Sequence, residues 1–425
     1  MHNRTRHPVV KAIIVCALVA LTGVKIFWDL GGPPLQRWDE QGNVDVVRTT
    51  MQSGNWLTLT CKDKCSDCKP RDEAVPFLDK PPLWYWLTML SVQLFGESAT
   101  SYRLVNAIAS FLLTMLLFRI GSAWFGFPAG AAAAITILTA RHLFMTGDTF
   151  TTHSFRTADL DGLHLLLIML GIYFFQRSLR GTRASGAQGT DTSFLALAAL
   201  ASCLAYFTKG PMGFLPVVIF MLYLAAHAVC GLVEGIRAGR SFLHSAPGAL
   251  KHAAREASKT LLVLLLAAAA VILPWYVYQY MHIGRAFIDD HIAYHLVRRA
   301  SEPLEGHHGS WRFYLNIFFN VKIFLMGVPA FTGLLAIATG ICGRLTGTAH
   351  GERPRARWWE DFRLFSIVAG FVISFAVITA VQTKLIWYIL YVYPFAALLA
   401  AVLAGFLWDY CRARRADCSR ACGGE

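Results

Sequence analysis

The sequence predicts an all-α, multi-pass membrane protein with about ten transmembrane helices, in a range of about 10 to 12, and interfacial helices in a long first outer loop. Composition, the length of the apolar runs and the sidedness of the positive charge predict it. The 425 residues are 55% hydrophobic and 15% charged, which is too little charge to coat a water-facing surface. The apolar residues gather into runs of about 17 to 24, the length a helix needs to cross roughly 30 Å of hydrocarbon. Alternate loops between these runs are rich in Lys and Arg, the orientation signal of membrane proteins.

The expected spans are 9–28, 98–120, 129–146, 161–176, 193–208, 212–230, 260–280, 316–341, 364–381 and 386–408. Arg4, Arg6 and Lys11 precede the first and no small-residue cleavage site follows it, so it reads as a retained anchor. With the amino terminus inside, inner segments hold about 21 Lys/Arg against about 9 Asp/Glu, and outer segments about 18 against about 17. The net charge of +13 is therefore an orientation signal, and no nucleic-acid partner is expected. Residues 1–410 form one expected transmembrane catalytic domain, with 411–425 as a basic cytoplasmic tail and both termini inside. Outer loops at 29–97 and 281–315 are long. The single N-x-S/T sequon, at Asn3, falls on the inner side and points to a bacterial inner (plasma) membrane.

Residues 83–95, LWYWLTMLSVQLF, are apolar but too short to cross. They are expected to lie in the outer interface, anchored by Trp84, Tyr85 and Trp86. Pro81 and Pro82 stand at the start, where missing N–H groups cost nothing, and Lys80 before a proline is extended. That helix start, with a lysine beside it, suits a lipid phosphate. Cys61, Cys65 and Cys68 fall in the first outer loop, where disulfides persist; an odd number leaves one thiol over or implies a metal knot.

Ionisable groups gather on the outer side: Asp39, Glu40, Asp79 and Lys80, then Asp159, Asp161 and Lys209, then His291, His295, Arg298, Arg299, His307 and His308, and finally Lys384. Such groups at a membrane are costly and default to function. The set suits sugar transfer from a lipid phosphate, because a phosphate leaving group departs without a general acid. One base and several cations then suffice. Asp39 is the expected base, and Lys80, Arg298 and Arg299 the expected phosphate partners. Asp159, Asp161, His307, His308 and Trp84 are expected to meet sugar or acceptor.

The ordered segments RWDEQG, LDKPPLWYWL, FGESATSYRL, FRTADLDGL, YFTKGPMGFLP, LPWY, HLVRRASEPLEGHHGSWRFYL and TKLIWYILYVYP resemble the GT-C superfamily of membrane glycosyltransferases. The similar branch holds protein mannosyltransferase-like enzymes and the lipid A aminoarabinose transferases, and the resemblance runs over about residues 9–405. It implies an inverting transferase that uses a polyprenyl-phosphate sugar donor and a lipid, glycan or protein acceptor at the outer face. It assigns catalysis to Asp39 with Glu40 beside it, and donor phosphate to Lys80, Lys209 and Lys384. It implies no required cofactor, but allows a divalent metal shared by Asp79 and His295. Two departures stand out: the insertion TCKDKCSDCKPRDEAVPF in the first loop, and Gln41-Gly42 where the family motif often has arginine. A transporter or flippase of lipid-linked sugars is the rival class. Transporters place polar residues at the midplane of paired repeats, and neither feature is visible here.

Overall fold

The computed structural model describes residues 6–62, 73–144, 153–185, 189–237, 242–320, 322–325, 327–338 and 361–422. Among the described residues its regular elements are helices, apart from one short antiparallel strand pair, β1 (Thr60–Cys61) with β2 (Val75–Pro76). The chain runs through α1 (Arg6–Phe27), α2 (Asp39–Ser53), α3 (Leu83–Phe95), α4 (Ala99–Phe125) and α5 (Phe127–Leu138). It continues through α6 (Asp161–Ser185), α7 (Thr192–Lys209), α8 (Leu215–Arg237), α9 (Phe242–Val271) and α10 (Leu273–Ile283). A π-helix (Ile288–Arg298) leads to later helices Phe313–Phe318, Gly327–Ala338, Phe362–Ala380 and Tyr393–Cys422.

Among the described residues, seven helices are long and apolar enough to cross a membrane, and the pair Leu250–Val271 and Leu273–Ile283, bent by 46°, makes an eighth. The bend falls at Pro274, whose ring lacks the N–H that a continuous helix needs. Two of the ten expected spans are shorter than expected. The run at 129–146 is helical only to Leu138; Ala140 then bridges to Phe324 and Arg141–Leu143 forms a 3-10 turn. The run at 316–341 breaks after Phe318, where the Asn320 carbonyl accepts from the amides of Ile323 and Phe324. A window of mean hydropathy averages across such turns. The last helix runs on through the expected tail to Cys422.

The transmembrane layer packs α4 on α5 and α6, α6 on α7, α8 on α9, and the last helix on α5. Close approach is built from small residues, as is usual where lipid leaves no hydrophobic force between helices. A Cβ on Gly130 would meet the Phe118 carbonyl oxygen at 2.5 Å. A second core lies over it, where α2 and α3 pack through Val44, Val47, Phe77, Trp84, Tyr85 and Met89.

This second core corrects the reading of α3. Trp84 and Tyr85 are fully buried, and the Trp86 indole donates to the Trp56 carbonyl at 2.7 Å. The exposed stripe is instead Leu87, Leu90, Leu94 and Phe95. Trp84 therefore has no surface with which to meet a sugar or acceptor. Cys61 is disulfide-bonded, while Cys65 and Cys68 lie outside the described residues.

Candidate active site

The site is assembled from the start of α2, the segment before α3, the loop 153–161, the end of α7 and the π-helix. Asp39 opens α2 after Trp38, whose backbone has φ of +74°, a strained value for a bulky residue. The next residue anchors the whole region. Glu40 and Arg103 are both fully buried and paired, Arg103 Nε to Glu40 Oε1 at 2.7 Å and Nη2 to Oε2 at 3.1 Å. Arg103 also donates to the carbonyls of Leu30, Pro33 and Pro34, while Glu40 accepts from the amides of Gln36 and Ala158. Every lone pair and N–H that burial would otherwise penalise is thereby engaged. Glu40 is thus corrected from a catalytic residue to one that holds Asp39 and Asp159 in register, because its neighbours on both strands of chain are those acids.

The loop that carries the other acids is fixed the same way. Asn43 donates to the Ala158 carbonyl, and Asn106 donates to those of Ser154 and Thr157 while accepting from the Gly162 amide. A Cβ on Gly162 would lie 2.2 Å from Ser110 Oγ, so the DLDG turn needs glycine. Asp159 accepts from the Asp161 amide at 2.9 Å, the side-chain-to-backbone bond that starts helices.

At the centre is His153, which sequence reasoning missed. Its Nε2 lies 2.8 Å from Asp39 Oδ2, and its Nδ1 lies 2.7 Å from Asp161 Oδ2 and 3.0 Å from Asp159 Oδ2. The ring stacks on Trp387 at 4.1 Å. Lys209 closes the cluster with its ammonium 2.5 Å from Asp161. Burial opposes charge on His153, but Asp159 and Asp161 outweigh it and push the imidazole up to about 10. Burial also tends to raise Asp39, yet the bond from His153 and the charges of His153, Lys80 and Lys209 hold its carboxyl well below the usual range. Burial, first of all, pushes Asp159 up.

These shifts carry a sign. His153, raised from 6.5 to about 10, contributes stability in full below about pH 6.5 and loses it as pH rises to about 10. Asp39, lowered, contributes above the ordinary carboxylate range and loses that only in stronger acid. His153→Gln is therefore expected to melt below the wild type at pH 6, with the gap narrowing steadily toward pH 10. Thermal unfolding in detergent across that window checks it, and a gap independent of pH would contradict the charged imidazole.

The second half of the site faces the first across Lys80, whose charge acts on both Asp39 and Asp79. His295 Nε2 stands 3.0 Å from Asp79 Oδ1 and 3.5 Å from Asp290 Oδ1. Burial tends to raise Asp79, but His295, Lys80 and Arg299 together lower it. Arg299 is largely buried, pairs with Glu305 at 2.8 Å, and leaves its Nε without an acceptor. Lys80 makes no side-chain hydrogen bond or ion pair among the described residues. Two cations with donors to spare beside a carboxylate-bound imidazole form a place for a phosphate.

Other expected residues are not brought here. Arg298 points outward to Glu302 at 3.0 Å, with half of its side chain exposed. Lys384 caps the end of the helix Phe362–Ala380 by donating to the carbonyls of Ile378, Thr379 and Val381, so its ammonium is spent on a helix terminus. His308 is exposed and folds back on the Gly306 carbonyl, and the His307 carbonyl receives the Lys384 amide. Lys209 is inside the site but bound to Asp161, so it sets the charge of the acid cluster instead of meeting phosphate directly.

Among the described residues, two groups each bring their ligand atoms within 4.8 Å: Asp79, Asp290 and His295, and His153, Asp159 and Asp161. In the second, both imidazole nitrogens already face carboxylates and Lys209 neutralises Asp161. The first fits a divalent cation better, because His295 Nε2 is buried with no aligned hydrogen bond and faces two carboxylate oxygens.

A family model described as dolichyl-phosphate-mannose-protein mannosyltransferase matches residues 79–233, less than half of the chain. The undecaprenyl phosphate-alpha-4-amino-4-deoxy-L-arabinose arabinosyl transferase of Edwardsiella ictaluri is 24% identical over 382 residues, which is 89% of this chain and 56% of that protein. The fold is similar to ArnT from Cupriavidus metallidurans bound to undecaprenyl phosphate, with a TM-score of 0.61, 18% identity, and coverage of 92% of this chain and 59% of that one. It is also similar to the oligosaccharyltransferase AglB of Archaeoglobus fulgidus in complex with an inhibitory peptide and a dolichol-phosphate. There the TM-score is 0.59 at 12% identity, over 98% of this chain and 52% of that one. The chain thus spans less than two thirds of each of these relatives.

Proposed function

We propose that this chain, which has the fold of GT-C membrane glycosyltransferases and sequence similarity to their protein mannosyltransferase and aminoarabinose transferase branch, moves a sugar from a polyprenyl phosphate to an acceptor at the outer face of the membrane. One observation carries the reading: Lys80 acts on both an ionised acid, Asp39, and Asp79, which pairs with His295 at 3.0 Å and feels the charge of Arg299, so an acid and a set of cations suited to a phosphate lie close together. In this reading the acceptor oxygen attacks the anomeric carbon from the side of Asp39. The bond from that carbon to the carrier phosphate breaks on the opposite side, its electron pair leaves with the phosphate, and the configuration inverts. The acceptor's proton passes to Asp39. A carboxylate held this far below its usual pKa is a weak base, but it suffices, because a hydroxyl becomes strongly acidic once its oxygen bonds to carbon. The same charge steadies the positive anomeric carbon. Lys80 and Arg299 stabilise charge that grows on the phosphate oxygen, and a divalent cation at Asp79 and His295 would add to it.

Similar proteins are described with undecaprenyl-phosphate aminoarabinose and dolichyl-phosphate mannose, so polyprenyl-phosphate donors of these two sugars are the ones to test. The acceptor is a lipid, glycan or protein of the cell envelope, and a bacterial inner membrane is the expected location. Binding of undecaprenyl phosphate to the purified protein tests the phosphate half. Lys80→Ala and Arg299→Ala are each expected to weaken it by about 10- to 100-fold. Arg298→Ala is expected to change it by less than about twofold, as an exposed pair contributes little. Equal losses at Arg298 and Arg299 would contradict the assignment.

A further inference from the structure

His295 and Arg299 sit on or next to a π-helix, a geometry that is rare and marks functional segments. The same helix carries His291, which is 1% exposed and has no place in the chemistry above. Its two nitrogens are fully committed. Nδ1 lies 2.6 Å from the Leu78 carbonyl oxygen, and Nε2 lies 2.7 Å from the Tyr276 hydroxyl, which is itself 2.7 Å from that of Tyr206. A carbonyl only accepts, so Nδ1 carries a proton and donates it to Leu78, while Nε2 is tied to the Tyr276 hydroxyl. The ring also stacks on Phe287 at 5.1 Å.

The recipient of the Nδ1 proton is the residue just before Asp79 and Lys80. Lys80 is confined by Pro81, so the direction of the Leu78 carbonyl governs where both side chains point. General docking of α10 on the first loop is secured elsewhere, by Trp275 and Gln279 donating to the Leu57 carbonyl. His291 is therefore free of that duty. We propose that His291 is a positioning residue that holds Asp79 and Lys80 in register with His295 and Arg299 for the carrier phosphate. This rests on the reading of Lys80 as a phosphate ligand.

The test is binding of undecaprenyl phosphate to purified, folded protein. His291→Leu is expected to weaken it about tenfold, while His291→Asn, whose amide can still donate to Leu78, keeps it within about threefold. Gln279→Leu, which removes a donor to the Leu57 carbonyl from outside the cluster that holds Leu78, also stays within about threefold. In a Lys80→Ala background, His291→Leu should lose most of its effect, since it acts chiefly through Lys80. A fully additive loss in that background, an Asn variant as weak as the Leu variant, or an equal loss in Gln279→Leu would each overturn the inference. If Lys80→Ala itself binds like the wild type, the phosphate reading falls first and this one with it.

Discussion

Replacing Asp39 by Asn is expected to lower sugar transfer from a polyprenyl-phosphate donor by about 10²- to 10⁴-fold, the usual range for removing a general base, with the fold intact. Asn keeps the shape and one acceptor oxygen toward His153, but it cannot take a proton and carries no charge for the anomeric carbon. The Asp39 side chain is 36% exposed, and the residues beside it keep their own bonds, Glu40 and Gln41 to Gln36 and Gly42 to Trp38, so the protein should still fold. The fall should appear in turnover and not in carrier binding, because Asp39 is not on the phosphate side. Initial rates at saturating donor, with a melting curve as control, check this. An acceptor that is already an ionised phosphate would shrink the effect, which makes the size of the loss a report on acceptor class.

The second large effect is structural. Glu40→Gln is expected to destabilise the protein by about 3–5 kcal/mol, as removing one partner of a buried ion pair strands the other charge. The reasoning is local: Arg103 is fully buried, donates to three carbonyls from residues 30–34, and has Glu40 as its only anionic partner among the described residues. Thermal unfolding in detergent should show a large drop. A residual folded fraction should keep carrier affinity but lose transfer, because Asp39 and Asp159 lose their common tether. Unchanged melting would contradict the role given to the pair.

The membrane class, the short helix at 83–95 and the nearness of Asp79 to His295 were legible because each rests on local signals: apolar length, proline placement, or ionisable groups gathered in a few loops. What was not legible depended on partners distant in sequence. Glu40 looks like a twin of Asp39 until Arg103 is seen to bury it, 63 residues later. His153 sits three residues before Arg156 in a stretch whose acids were noticed, yet nothing in TFTTHSF signals that three carboxylates converge on it. Trp84 in LWYWL reads as an interfacial anchor, and only the packing of α2 on α3 turns it inward. Lys384 and Arg298 were expected on the same side as the site, but sidedness gives no direction to a side chain: one caps a helix and the other meets Glu302.

The central claim is most directly tested with the purified protein in sealed vesicles that contain a labelled polyprenyl-phosphate sugar and an envelope extract as acceptor. The account predicts that free polyprenyl phosphate is released, that the sugar appears on the acceptor with inverted anomeric configuration, and that Asp39→Asn stops both. Movement of intact donor across the bilayer, with no sugar released by either protein, would contradict it and identify a flippase.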